Sequence, residues 1–385
     1  MKRFLYLFAI LSAFLTSCTS KSVNSQPIKE PPQTYIQEFE QLHLDTSVSD
    51  NKPLIFSEVK AVWIPVMEYE TLMLNKNESE FRNAVNSRFS KLKGQGFNTL
   101  FVHLRAYGDA YYNSELFPKG TFFTGDYDVL QIMLDEAHKL GLSLHGWINP
   151  LRCQTEEEMK KLPDNFTLKK WYSEKKGTLL CVVDGRCYLN PAYEEVIRLI
   201  TDGVSEILNN YDVDGIHIDD YFYPTVSPDF DSSAFAESGS ADLSGWRLEN
   251  CTKLVKSLYD CVKTKSRDLI FSISPQGNIN SDYEKLFADV RLWGSCKGYC
   301  DMLIPQIYYG FENESCPFSD VLAQWESLVT SPDVSLVVGL AGYKVGKIDK
   351  WAGSGENEWL EHDDIIERQI EAVENSSAAG CAIYS

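Results

Sequence analysis

Eight short apolar runs with strand character alternate along this chain with seven segments of helical periodicity, and few architectures accept that order. The runs are 61–67, 98–104, 142–148, 214–219, 269–274, 301–307, 335–340 and 380–384. Between them apolar residues recur every three or four positions, at about 78–94, 128–140, 193–210, 246–266, 282–293, 318–329 and 362–375. Such alternation implies a parallel sheet with helical crossovers, and eight strands over roughly 330 residues predict an α/β fold, a (β/α)8 barrel. The pattern stops at the eighth run and leaves no eighth helix: either the preceding tether covers that gap or the barrel is incomplete there. Two connections are long, 150–191 after the third strand and 221–245 after the fourth. Long ordered loops at the C-terminal ends of barrel strands usually shape a cleft.

The fourth run, Asp214-Gly215-Ile216-His217-Ile218-Asp219-Asp220, ends in two adjacent carboxylates. Alternate residues of a strand face opposite sides, so Ile216 and Ile218 go to the helices while Gly215, His217 and Asp219 turn into the barrel. Asp219 then stands at the C-terminal end of an inward row, where barrel enzymes keep their chemistry. The same parity turns His103, Arg105 and Tyr107 inward on the second strand, and His145, Trp147 and Asn149 on the third. It adds Ser272 and Ser274 from the fifth, Gln306 and Tyr308 from the sixth. A purely structural core would have to satisfy all of these polar groups, so the set predicts a functional site at one mouth.

The chain carries 36 basic and 55 acidic residues, a net charge of −19, which argues against nucleic acid as a partner. Its 20 Tyr, 20 Phe and 8 Trp fill a core but also suit the faces of sugars. Lys2 and Arg3 precede an apolar run, 4–15, and then Leu15-Thr16-Ser17-Cys18, which resembles the bacterial lipobox. Residues 1–17 are thus expected to be a lipoprotein signal peptide, Cys18 the lipidated residue, and the polar stretch 18–57 a tether. The expected location is the cell envelope, with a lipid anchor in the outer membrane where the organism has one. Nine further cysteines, an odd number, do not make a disulfide framework. Cys181 and Cys187 flank an Asp184-Gly185 hairpin in which Val182 faces Cys187 and Val183 faces Arg186, placing the two thiols on opposite faces.

Ala61-Val62-Trp63, Phe101-Val102-His103-Leu104-Arg105, His145-Gly146-Trp147-Ile148-Asn149-Pro150, Tyr188-Leu189-Asn190-Pro191, the fourth run with Tyr221, and Gly342-Tyr343-Lys344-Val345-Gly346 resemble the bacterial glycosyl-hydrolase-like family ten. The resemblance runs from about residue 58 to the end and implies a TIM-barrel glycosidase over 58–385. It also implies a cell-envelope lipoprotein, with peptidoglycan strands stripped of peptide as the substrate proposed for some members. With the inward set it implies substrate contacts from Arg105, Tyr107, His145, Trp147, Asn149, Asn190, His217, Tyr221, Gln306, Tyr308 and Lys344, and no cofactor.

The fourth run is also similar to the chitinase-type motif, but His217 stands where that motif has an acid and Tyr221 where it has the catalytic Glu. That acid is therefore not carried over. Glycoside cleavage needs one carboxyl to protonate the leaving oxygen and a second as nucleophile or base. Asp219 is the leading catalytic residue and Asp220 the second; Asp109 and Glu68 are other partners for Asp219. Two different classes stay open. His103, His145 and His217, inward on three consecutive strands, could hold zinc for a deacetylase or amidohydrolase, although Arg105 above them would repel a cation. Alternatively, the chain could be a glycan-binding lipoprotein without turnover. With no metal, the histidines would form a hydrogen-bonded layer beneath the site.

Overall fold

The structure is a computed structural model that describes residues 52–385. The stretch expected to be a signal peptide, Cys18 and most of the stretch expected to be a tether lie outside the described residues. In chain order the strands are β1 (Val59–Ile64), β2 (Thr99–Arg105), β3 (Ser143–Ile148), β4 (Arg152–Thr155), β5 (Leu180–Val183), β6 (Arg186–Leu189), β7 (Gly215–Ile218), β8 (Ile270–Ile273), β9 (Met302–Leu303), β10 (Ser335–Leu336), β11 (Val338–Ala341) and β12 (Gly380–Tyr384). Nine of them form one sheet in the order β10-β9-β8-β7-β3-β2-β1-β12-β11. Its two ends are halves of a single extended segment, broken only at Val337: β10 pairs with β9 and β11 with β12, all in parallel. Residues 335–341 therefore act as one seventh strand that closes an eight-stranded barrel, with β12 seated between β1 and β11. Among the described residues no helix follows β12.

Barrel parity sorts the apolar residues into two layers. Ile64, Leu100, Val102, Leu144, Ile216, Ile218 and Phe271 pack outward on the helices. Ala61, Trp63, Phe101, Trp147, Ile304, Val337 and Ala382 fill the interior.

Helix starts follow their caps. Asn77 and Glu80 form a reciprocal capping box at the start of Glu78–Gly94. Asp242 accepts from the Gly245 amide and begins Leu243–Lys265 three residues before the periodicity alone suggests. The segment expected as one helix over 282–293 is broken: a π-type turn, Asp282–Leu286, ends at Phe287 with φ 55°, and a short helix, Val290–Ser295, follows. The turn is drawn inward because the buried Asp282 carboxylate accepts from the Gln276 amide at 3.0 Å. The sixth strand is also shorter than expected. Pro305 offers no N–H to a ladder, yet Ile304 and Gln306 still donate to Ile273 and Pro275 at 2.8 and 2.9 Å.

After β3 the chain folds into a small antiparallel sheet, β4-β6-β5, with Val182 opposite Cys187 and Val183 opposite Arg186, as the hairpin reading predicts. The connection after β7 is fixed by a wholly buried ion pair. Arg247 Nε and Nη2 donate to Asp231 at 2.9 and 2.6 Å, and Nη2 also donates to the Ser227 carbonyl at 2.7 Å. At the foot of the barrel Asp214 accepts from the Leu144 and Leu54 amides, at 2.7 and 2.6 Å, and lies 3.0 Å from His138 Nε2. The first described residues, around Leu54, are thus held at β7, under the barrel.

Candidate active site

Asp219 and Asp220 follow directly on β7, and their neighbours draw them to different sides. Asp219 Oδ2 accepts from the Trp147 indole N–H at 3.1 Å and Oδ1 from the Tyr221 amide at 3.2 Å. Asp220, where the strand has ended and the chain turns, reaches over the rim of β8. Its two oxygens accept from the Gln276 and Gln306 side-chain amides, each at 3.2 Å. Gln306 is steadied by a second donation, to the Ser274 carbonyl at 3.1 Å.

The two carboxyls therefore differ electrostatically. Burial first, and then the charge of Asp220, hold Asp219 well above the usual carboxylate range, against the pull of the Tyr221 amide, Arg152 and the Trp147 indole. Asp220 is raised by burial as well, but the two glutamine amides pull it back. Both carboxyls are raised, Asp219 further than Asp220, so Asp219 holds its proton more tightly of the two, an asymmetry that acid–base chemistry can use.

Beneath Asp219 lies the histidine layer. Trp63 Nε1 donates to His217 Nε2 at 3.0 Å; an indole can only donate, so the His217 proton sits on Nδ1 and points at Ser272 Oγ, 2.8 Å away. Burial holds His217 well below its ordinary value, so the ring is neutral. His103 stacks on Trp147, ring centres 3.7 Å apart, and its Nδ1 accepts from the Val66 amide at 3.4 Å. Burial lowers it to about 3 and His145 to about 4. His145 lies one layer deeper, opposite Gly215, where an added Cβ would come within 2.8 Å of His145 Nδ1 and 2.5 Å of the Ile270 carbonyl. His145 and His217 are thus the floor of the site and do not reach its mouth, contrary to their expected role as substrate contacts. For the zinc reading, both nitrogens of His217 are engaged. Among the described residues no three His, Cys, Asp or Glu side chains are grouped to hold a metal ion.

Arg105 also departs from expectation. The ladder between β2 and β3 slips after His103, so Arg105 falls opposite Ile148, an outward residue. A bulge of one residue reverses parity. The guanidinium lies outside the wall, 4.2 Å from the Phe117 ring centre, and a Cβ on Gly203 would stand 2.3 Å from Nη1. Lys344 is committed to the loops: it donates to the Tyr308 carbonyl and Asp349 at 2.8 and 2.7 Å. Asp109 accepts from the Ala106 and Tyr107 amides at 3.0 and 2.9 Å, fixing the turn that carries Tyr107. Glu68 forms a two-pronged pair with Arg88 at 2.9 and 3.0 Å. Asn149 donates to the Ala106 carbonyl at 3.3 Å and Asn190 accepts from the Ala192 amide at 3.1 Å, so both shape loops beside the mouth.

Several residues of the site carry no mark in the strand pattern. Gln276 grips Asp220, and Tyr384, at the end of β12, lies 6.1 Å from Trp63, 6.3 Å from Tyr308 and 5.8 Å from Tyr343, ring centre to ring centre. Arg152, on β4, places its guanidinium 4.2 Å from the Tyr221 ring centre and 4.9 Å from that of Tyr107. It takes the part at the mouth that strand parity gives to Arg105. The half-buried Tyr107, Tyr221, Tyr308 and Tyr384, with the exposed Tyr343, make an aromatic rim around the carboxyls.

Known proteins share this sequence and architecture. The chain is 31% identical over 336 residues to "Glycosyl hydrolase DigH" of Escherichia coli (strain K12), covering 79% of this chain and 75% of that protein. It is 28% identical over 354 residues to "Glycosyl hydrolase YngK" of Bacillus subtilis (strain 168), covering 83% and 67%. Among solved structures, the PgaB (BpsB) glycoside hydrolase domain from Bordetella bronchiseptica superposes with a TM-score of 0.57 at 12% identity, over 85% of this chain and 94% of that one. The α-amylase of Geobacillus thermoleovorans gives 0.51 at 13%, over 85% and 70%, and both likenesses concern the barrel fold alone. The model of one family matches residues 58–354, and by that match and the sequence relatives the chain belongs to the glycosyl hydrolase-like 10 family.

Proposed function

We propose that this protein is a glycoside hydrolase of the bacterial cell envelope, with Asp219 as the general acid and Asp220 as the ionised partner. In this reading Asp219 protonates the glycosidic oxygen, while Asp220 stabilises positive charge on the sugar or activates water. The observation that carries it is the pair of carboxyls in contrasting surroundings at the C-terminal mouth of the barrel. The tyrosine rim supports a sugar ligand, since flat rings cover the apolar faces of pyranoses and leave the hydroxyls free to bond.

The substrate class proposed is the glycan strand of peptidoglycan freed of its peptides, in line with the family resemblance. Anchoring through Cys18 is proposed on the lipobox-like sequence and would keep the barrel close to that polymer. The test is to incubate the purified protein with peptide-free glycan strands, intact peptidoglycan and chitin oligosaccharides, and to count new reducing ends. Release from the peptide-free strands is the expected result. Binding without any release would identify a glycan-binding protein that shares the cleft but not the chemistry.

A further inference from the structure

Arg152 on β4 lies opposite Tyr188 and Arg186 on β6 opposite Thr155, yet both turn to the same ring: their guanidinium carbons lie 4.9 and 4.8 Å from the Tyr107 ring centre. Arg152 is also 4.2 Å from the Tyr221 ring centre. Arg82, Arg88 and the buried Arg247 each face a carboxylate, and Arg105 and Arg368 each lie alone against one ring, whereas Arg152 and Arg186 are the two that share a ring. Arg152 and Arg186 form no ion pair among the described residues, although the chain has 55 acidic side chains to offer. Arg186 donates to the Cys153 carbonyl at 2.8 Å, and the buried Nε of Arg152 has no hydrogen-bond partner.

Two cations gathered on one ring repel each other, and an anionic fork placed between them relieves that repulsion and offsets their partial loss of water. The ring faces supply part of that compensation. Asp219 and Asp220 act on Arg152 through space but form no ion pair with it, so its fork, and that of Arg186, is left for an anionic ligand.

We propose that Arg152 and Arg186 form a specificity subsite for a carboxylate carried by the glycan, on the sugar next to the one at Asp219. The proposal rests on the glycosidase reading and narrows it to acidic glycans. A carboxylate meets a guanidinium through two parallel N–H···O bonds, so the subsite fixes the register of the chain as well as its charge. Two chemistries supply such a group: an ether-linked lactyl acid on an amino sugar, and the ring carboxylate of a uronic acid.

Calorimetric titration of the full chain bearing Asp219→Asn tests the subsite without turnover. The probes are a peptide-free peptidoglycan tetrasaccharide, the same compound with its carboxyls converted to amides, and tetragalacturonate. One acid form should bind about 10–100-fold more tightly than the amide, the range expected of hydrogen bonds to a charged group. Which acid it is, lactyl or uronic, identifies the source of the carboxylate. Added salt should shrink the preference, and this reading needs no further mutation. Arg152→Met in the same background should abolish most of the preference, and Arg152→Lys, which keeps the charge and loses the fork, should restore part of it. Equal affinity for acid and amide, binding of neither, or a preference untouched by Arg152→Met would overturn the subsite. Charge-dependent binding together with a wild type that cleaves nothing would instead sink the glycosidase reading and leave the subsite standing.

Discussion

The Trp147 indole nitrogen donates to Asp219 Oδ2 at 3.1 Å, so the inward ring of the third strand holds the carboxyl that ends the fourth. Asparagine at 219 offers an amide oxygen to the same donor and carries no charge. Asp219→Asn should therefore melt at close to the wild-type temperature while glycan cleavage drops by about 10²–10⁴, roughly 3–5 kcal/mol of barrier. Parallel assays of reducing-end release and thermal unfolding check this. A variant as active as the wild type would remove Asp219 from the chemistry.

Trp147→Phe tests the direction of the coupling. The indole N–H favours the ionised carboxyl, so its loss leaves Asp219 protonated to still higher pH. If Asp219 is the acid, the alkaline limb of the pH–rate profile moves upward in this variant. A limb that stays in place assigns it to another group.

On the opposite side, Gln306→Leu deprives Asp220 of one of its two amide donors. The proposed mechanism needs Asp220 ionised, and loss of a donor raises it further. The acidic limb of the profile should shift upward and the maximal rate should fall. Asp220→Asn should lower the rate at every pH, and an unchanged acidic limb in Gln306→Leu would argue that Asp220 only positions substrate.

Far from the mouth, His138 lies 3.0 Å from Asp214, and that hydrogen bond, against the opposing effect of burial, raises the histidine above its ordinary value. A group whose folded value is raised stabilises the fold fully below its unfolded value of about 6.5 and loses that contribution as pH climbs through the folded value. The melting temperature of the wild type relative to His138→Gln should therefore be highest on the acid side of pH 6.5 and converge on the variant at higher pH. A constant difference across this range would show that the proton plays no part.

Strand order, helix positions and the inward rows of β3 and β7 were legible because period-two alternation survives wherever the ladder is regular. Arg105 defeated the same rule. A single slip after His103 reverses the side chain that ends the strand, and nothing in the composition of Phe101-Val102-His103-Leu104-Arg105 signals it. Depth was hidden as well: parity marks His145, His217 and Asp219 alike as inward, and only the stagger of neighbouring strands decides which reaches the mouth. Gln276 lies past the end of a barrel strand, and Arg152 and Arg186 lie on the small sheet outside the barrel, whose seating over the mouth no barrel periodicity fixes.

The seam of the barrel has a kinetic side. β1 pairs with β12 through Val59 and Gly380, so a ribosome delivers one edge of that pairing about 320 residues before the other. Throughout that interval β1 presents unpaired backbone on one side, and the segment around Val337 can complete only its bonds to β9. Contacts of such sequence separation form late, because the closure entropy of the intervening chain is lost before any bond repays it. A nascent chain stopped short of Gly380 would hold most of its secondary structure and still display two open strand edges, the template on which chains of this kind aggregate.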